Sequence, residues 1–151
     1  MHKQVVGSTL LALALIGGLA WVACGGGGLE PKVRDFDLIM GEGEIIQEVD
    51  GTEQLTGEFH RWEPSVLVAF VGDTINLKVT NPRGSAHSFA LPGFGVMSPR
   101  LEPRGGTATL SFQVDKAGVF PWMCALPYDP ESGDCDLDHK RMVGQLIVLE
   151  R

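Results

Sequence analysis

The chain has 151 residues and a formal net charge of −7, and its length allows one domain with a single hydrophobic core. The negative charge argues against nucleic acid as a partner and favours basic or neutral partners. Because the chain has room for one core, its chemistry is expected to lie in one main site.

The N-terminal stretch from Val5 to Ala23 has no charged side chain and follows Lys3. A positively charged start, an apolar middle and small residues at the end predict that this segment is an export signal. The remainder of the chain is therefore expected to be extracytoplasmic. Cys24, followed by glycines 25–28, resembles a bacterial lipoprotein site in which the cysteine carries the lipid. The alternative is that residues 5–23 remain as a transmembrane anchor, because about 20 apolar residues span a bilayer. Both interpretations hold the domain at a membrane.

The chain is accordingly divided into three parts. Residues 1–23 are a signal peptide of lipoprotein type or a membrane anchor, residues 24–35 are a flexible tether, and residues 36–151 are the folded domain.

Short runs of β-branched and aromatic residues recur along the folded part, separated by Gly, Pro and Asn-Pro breaks. This pattern predicts an all-β, Greek-key sandwich of antiparallel strands. Predicted strands cover residues 66–71, 74–80, 107–114, 119–123 and 145–149. Further candidate strands cover residues 36–40, 44–49 and 57–60, with breaks at Gly41, Gly43 and Asp50-Gly51.

Five side chains with sulfur or imidazole donors are the candidate metal ligands of the domain. They are His87, Cys124, Cys135, His139 and Met142. Thiolate, imidazole and thioether donors suit copper and accommodate both of its common oxidation states. One donor comes from an upstream loop and the others from the region before the last strand, so packing of the sheets must bring them together.

The residues around these donors resemble the CuA domains of cytochrome c oxidase subunit II and nitrous oxide reductase. The matching segments are 84–92, 95–96, 118–120 and the run Cys135-x3-His139-x2-Met142 continuing to Val148, within a region of about residues 64 to 150. The resemblance implies a cupredoxin fold in which Cys124 and Cys135 bridge two copper ions. It also implies that His87 and His139 are the terminal imidazoles and that Met142 is a weak thioether ligand.

The same resemblance implies an electron carrier, in a respiratory chain, whose partner is a cytochrome c or a terminal oxidase or reductase. A full ligand set leaves no open position for substrate, and the sequence has no recognisable nucleophile with its base or nucleotide loop. The sequence therefore predicts an electron carrier and not an enzyme.

Two alternatives remain for the cysteines, which are separated by residues 125–134. This stretch is rich in turn formers and acids and predicts a surface loop, whose extra length costs little closure entropy. In the first alternative, one cysteine joins His87, His139 and Met142 in a blue or red single-copper site. In the second, Cys124 and Cys135 form a disulfide in a copper-free module for copper handling or assembly.

Other polar residues receive simpler interpretations. His60 is expected to be an exposed or half-buried strand residue, and Met97 a packing or surface residue. An acidic cluster beside the proposed metal loop is expected to be solvated surface that can steer a basic partner. Its members are Asp129, Glu131, Asp134, Asp136 and Asp138.

Overall fold

The computed structural model describes residues 30–151, which form a sandwich of two β-sheets. The predicted export segment and Cys24 lie outside the described residues. Across residues 30–151, no helix is long and apolar enough to cross a membrane. The strands are β1 Val33–Val49, β2 Thr52–Glu63, β3 Val66–Phe70, β4 Thr74–Asn81, β5 Ala90–Leu91, β6 Val96–Met97, β7 Gly106–Gln113, β8 Gly118–Met123 and β9 Val143–Leu149.

One sheet has the strand order β2-β1-β4-β7 and the other has the order β3-β9-β8-β5-β6. The all-β prediction is confirmed, and each of the five predicted strands is present. Not every strand pair is antiparallel, because β1 pairs parallel with β4 and β3 pairs parallel with β9. In both parallel pairs, the intervening chain crosses to the other sheet before it returns.

The core lies between the two sheets and is centred on three aromatic rings. Phe89 contacts Trp62 of β2 in an edge-to-face arrangement, with ring centroids 6.1 Å apart. On its other side, Phe89 lies 6.0 Å from the ring of Trp122 in β8. Alternating side chains of β4 complete this layer, since Ile75, Leu77 and Val79 are buried as their period of two predicted. These rings therefore join the two sheets directly beneath the segment that carries His87.

The first hairpin differs from its prediction. Residues 36–49 form part of one continuous strand, although breaks were expected at Gly41 and Gly43. A β-carbon on Gly41 would lie 2.4 Å from the carboxyl carbon of Glu63, and one on Gly43 would lie 2.4 Å from the ring of Phe59. The two glycines thus make room for side chains of the paired strand. The chain turns at Asp50 and Gly51, which both have positive φ as a tight hairpin turn requires.

The first strand begins at Val33, three residues before the predicted start of the folded domain at residue 36. Residues 33–35 belong to β1, where they pair with residues 74–76 of β4. This pairing involves residues far apart in the sequence, so no local pattern indicates it.

Asp73 fastens the start of the described chain to the sandwich. Its buried carboxylate accepts hydrogen bonds from the backbone N–H of Lys32 at 2.8 Å and of Phe70 at 3.0 Å, and it pairs with Arg34 and Arg151. Burial alone raises the pKa of Asp73, but the hydrogen bonds from Arg34, Lys32 and Phe70 outweigh it and lower the pKa from 3.8 to about 2. The ionised form is therefore the form that stabilises the fold.

Replacing Asp73 with asparagine is expected to lower the free energy of unfolding at pH 7 by about 2 kcal/mol. Because the folded-state pKa lies below the unfolded-state value, this contribution is complete above pH 3.8 and is lost as the pH falls through about 2. Urea unfolding at pH 7 and at lower pH measures this loss of stability. Asp37→Asn, at an exposed position of β1, is the control. A difference between wild type and Asp73→Asn that stays constant down to pH 2 would contradict the assignment.

Candidate metal centre

The loop that carries His87 is fixed by a buried asparagine at the end of β4. The Asn81 side-chain amide donates to the carbonyl of Ser85 at 2.8 Å and to that of Leu101 at 3.1 Å. Its oxygen accepts from the N–H of Arg83 at 3.0 Å. His87 then exchanges two backbone hydrogen bonds with Leu101, at 3.2 and 2.7 Å. These contacts hold the backbone of His87 against the core.

The imidazole of His87 is fully buried. Within the part of the chain that the structure describes, neither of its ring nitrogens has a hydrogen-bond partner. A buried polar group without a partner costs about 1–3 kcal/mol, so a ligand bound at this imidazole would remove an unfavourable interaction. One of its nitrogens lies within 4.8 Å of the sulfur atoms of both Cys124 and Cys135.

Four donors form a chain of short contacts next to His87. The sulfur of Cys135 lies 3.6 Å from the sulfur of Cys124, 3.1 Å from Nδ1 of His139 and 3.6 Å from the sulfur of Met142. Cys124, Cys135 and Met142 are buried, and His139 is half-buried in the 3-10 turn His139–Arg141. The structure thus brings all five predicted site residues together.

The backbone of Cys135 has an unusual conformation, with a φ of 54°. This left-handed conformation is strained for a residue other than glycine, and such strain persists only where the surroundings impose it. Cys135 donates its N–H to the carbonyl of Ala86 at 2.8 Å, and Ala86 donates to the carbonyl of Gly133 at 3.0 Å. The loop of His87 and the loop of Cys135 are therefore held side by side.

The two thiols influence each other's ionisation. The hydrogen bond between them lowers the pKa of Cys124 and, together with burial, raises the pKa of Cys135. The N–H of Ser88 at 3.4 Å further favours the thiolate of Cys124. The surroundings therefore favour the ionised form of Cys124.

The stretch between the cysteines forms the surface loop that its composition predicted. Residues 127–133 are exposed, and the loop closes through two hydrogen bonds between the backbones of Asp129 and Asp134, at 2.8 and 3.0 Å. Both cysteines are free thiols, and their sulfur separation of 3.6 Å exceeds the disulfide bond length of about 2.05 Å. The loop thus leaves the two sulfurs adjacent despite its length.

The remaining predicted residues fall outside this cluster. Met97 is 64% exposed, in agreement with its interpretation as a surface residue. His60 is half-buried and contacts the carboxylates of Asp136 and Asp138 at 3.5 and 3.3 Å. Within the acidic cluster, Asp134 pairs with Arg100 at 2.8 Å.

The sequence interpretation missed the role of Asp136. One of its oxygens accepts a hydrogen bond from the hydroxyl of Ser85 at 2.7 Å, and the other lies 3.5 Å from Nε2 of His87. Its position directly after Cys135 was the available signal, but it was interpreted as one more surface acid.

Comparison with known proteins identifies copper enzymes as relatives, although no family model matches the chain. The chain is 30% identical over 134 residues to a copper-containing nitrite reductase of Neorhizobium galegae, which covers 81% of this chain and 33% of the relative. It is also 30% identical over 133 residues to a copper-containing nitrite reductase of Rhizobium meliloti (strain 1021), covering 80% and 33%. The chain thus spans about a third of the length of these curated relatives.

Solved structures give the same picture of the fold. A blue copper oxidase from Nitrosomonas europaea superposes with a TM-score of 0.58 at 22% identity, over 80% of this chain and 39% of that one. A copper nitrite reductase from Nitrosomonas europaea gives 0.57 at 20% identity, over 79% and 42%. The chain has a cupredoxin-like fold. This confirms the Greek-key, cupredoxin-like sandwich predicted from the sequence.

The prediction that the chain is not an enzyme is contradicted by these matches. The relatives of this cupredoxin-like domain are reductases, and its structural neighbours include an oxidase and a reductase. The prediction was wrong because a full ligand set excludes substrate binding only at the copper of that one domain. The donors of one domain carry no information about sites that form between domains.

Proposed function

We propose that this cupredoxin-like domain binds copper through His87, Cys124, Cys135, His139 and Met142 and uses it to transfer electrons. The observation that carries the proposal is the convergence of two thiols, a thioether and an imidazole beside the buried, partnerless imidazole of His87. Donors of this kind select copper over hard cations. The copper named in the relatives supports the same metal.

When bound, copper supplies the redox chemistry because it takes up and releases one electron between two oxidation states. The contribution of the chain is to hold its donors at nearly fixed separations, which keeps the structural change on electron transfer small. Burial of His87, Cys124, Cys135 and Met142 excludes water from the donors. His139 is the one half-buried member of the five, so we infer that electrons enter and leave on its side.

We favour two copper ions shared by Cys124 and Cys135, as the resemblance to CuA domains implies. Two metal–sulfur bonds of about 2.3 Å reach up to about 4.6 Å. Sulfurs 3.6 Å apart can therefore bind the same ion. A single-copper site is the second candidate, because the sulfur of Cys135 alone contacts both His139 and Met142.

Copper titration of the full chain, reduced and stripped of metal in mild detergent, tests the proposal. We expect two tightly bound copper ions per chain and an EPR spectrum in which one unpaired electron couples to both copper nuclei. One copper per chain with coupling to a single nucleus would support the second candidate. Absence of tight copper binding would overturn the proposal and leave the copper-free module.

Reversible redox cycling tests electron transfer separately from copper binding. The copper is expected to stay bound through repeated reduction by a reduced cytochrome c and reoxidation. Loss of the metal on each reduction would contradict electron transfer and indicate copper delivery. Met142→Leu is expected to alter the spectrum, whereas Met97→Leu, at an exposed methionine, provides the matched control.

We propose that the partner of this site is a basic redox protein and that the electrons are used by a reductase or oxidase. Asp129, Glu131 and Leu137 are exposed in the segment that precedes His139, so this segment contributes acidic and apolar groups to the surface. Salt should slow the cytochrome c reaction if this surface steers the partner.

Anchoring at a membrane through a lipid on Cys24 or through residues 5–23 stays a proposal, which the mass of the membrane-extracted chain tests.

A further inference from the structure

Asp136 lies between two imidazoles at the edge of the candidate metal centre. Its Oδ2 atom is 3.5 Å from Nε2 of His87 and 3.5 Å from Nδ1 of His60. This oxygen is buried, and among residues 30–151 it has no hydrogen-bond partner. The same is true of both ring nitrogens of His87. Unsatisfied polar atoms thus face each other across this gap.

One small adjustment would satisfy both sides of the gap. Closing 3.5 Å to the usual 2.7–3.2 Å would form a hydrogen bond from Nε2–H of His87 to the carboxylate of Asp136. A proton on Nε2 leaves the lone pair of the neutral imidazole on Nδ1. The nitrogen that remains is then the one available to a metal.

The carboxylate of Asp136 is held in place from its other side. Its Oδ1 atom accepts a hydrogen bond from the hydroxyl of Ser85 at 2.7 Å, two residues before His87. The backbones of Cys135 and Ala86 are joined at 2.8 Å, which fixes the neighbouring residues of both segments. Beyond Asp136, Asp138 accepts a hydrogen bond from the backbone N–H of His60, and its Oδ1 atom lies 3.3 Å from Nδ1 of the same residue. Contacts within the chain therefore orient Asp136 toward His87.

We propose that Asp136 is a positioning residue that accepts a hydrogen bond from Nε2 of His87 and presents Nδ1 of that ring to copper. The inference rests on the proposed function for its metal, and Asp136 itself does not bind the ion. A carboxylate behind a ligating histidine fixes its tautomer and ring orientation and raises its basicity as a ligand. His60 packs on the far side of the carboxylate, with its ring centroid 5.8 Å from that of His87.

Copper affinity of Asp136 variants tests the role of this residue. Asp136→Ala is expected to weaken copper binding about 10-fold to 100-fold and to change the visible and EPR spectra. Asp136→Asn keeps an oxygen acceptor and is expected to restore most of the affinity. Asp134→Ala is the matched control. It removes the same charge on the other side of Cys135, but the carboxylate of Asp134 pairs with Arg100 and not with His87. Equal effects of Asp136→Ala and Asp134→Ala would overturn the proposal.

The tautomer of His87 gives a second test that needs no copper. In the metal-free chain, nitrogen-15 NMR of the imidazole at pH 8 is expected to place the proton of His87 on Nε2, and Asp136→Ala is expected to lose that preference. A proton on Nδ1 in the wild type would overturn the inference. If the wild-type chain binds no copper, the proposed function fails, while this measurement still decides whether Asp136 orients His87.

Discussion

Replacing Cys135 with serine is expected to weaken copper binding by at least about 100-fold, a larger effect than loss of a supporting residue. The sulfur of Cys135 is the central donor, because it contacts Cys124, His139 and Met142. A serine hydroxyl has nearly the same shape but does not ionise at neutral pH and is a poor ligand for copper. Copper competition titration on the reduced full chain measures the loss.

The corresponding change at Cys124 separates the two copper stoichiometries. If both sulfurs bridge two ions, Cys124→Ser is expected to abolish the coupled EPR signal as completely as Cys135→Ser. If one copper binds at Cys135, Cys124→Ser is expected to retain it with a single-nucleus spectrum. Unfolding of both metal-free variants provides the control for the fold. Wild-type copper affinity in Cys135→Ser would contradict the assignment of the site.

Much of this site follows from short-range sequence signals. Cys124 directly follows β8, and Met142 directly precedes β9, so two donors meet wherever these paired strands end. His139 and Cys135 lie within the same segment, and their spacing already places them near that edge. His87 is different, because its loop reaches the cysteines only through long-range contacts. Its selection rested on its imidazole donor and on resemblance to known sites, and not on spacing.

The parts that sequence reasoning missed depend on side chains from distant segments. Gly41 and Gly43 act as strand breaks in isolation, but here they accommodate Glu63 and Phe59 from the paired strand. The carboxylate of Asp136 has the composition of a surface acid, yet the fold aims it at a buried imidazole. Neither outcome is encoded within a local window, because each is decided by a residue more than ten positions away.

The relation between the core and the site leads to a second strong prediction. Phe89 lies between Trp62 and Trp122 and belongs to the same segment as His87 and Ser88. The N–H of Ser88 points to the sulfur of Cys124, and its hydroxyl accepts from the N–H of Ala125 at 3.2 Å. Packing of the Phe89 ring therefore also sets the position of this segment relative to the thiols.

Replacing Phe89 with alanine is expected to lower the free energy of unfolding of the metal-free chain by about 3–5 kcal/mol. The ring is fully buried, so its removal loses transfer free energy and leaves a cavity between the two tryptophans. This is a large part of the 5–15 kcal/mol that stabilises a typical domain. Urea unfolding under reducing conditions measures it.

Two further variants define what the Phe89 result means. Leu55→Ala, at a side chain 57% exposed in β2, is expected to change stability by no more than about 0.5 kcal/mol. Phe89→Leu keeps most of the buried volume and is expected to cost less than Phe89→Ala. A cost for Phe89→Ala as small as that of Leu55→Ala would contradict the packing of the three rings. If the packing is correct, Phe89→Ala also weakens copper binding, because the segment of His87 and Ser88 loses its support from the core.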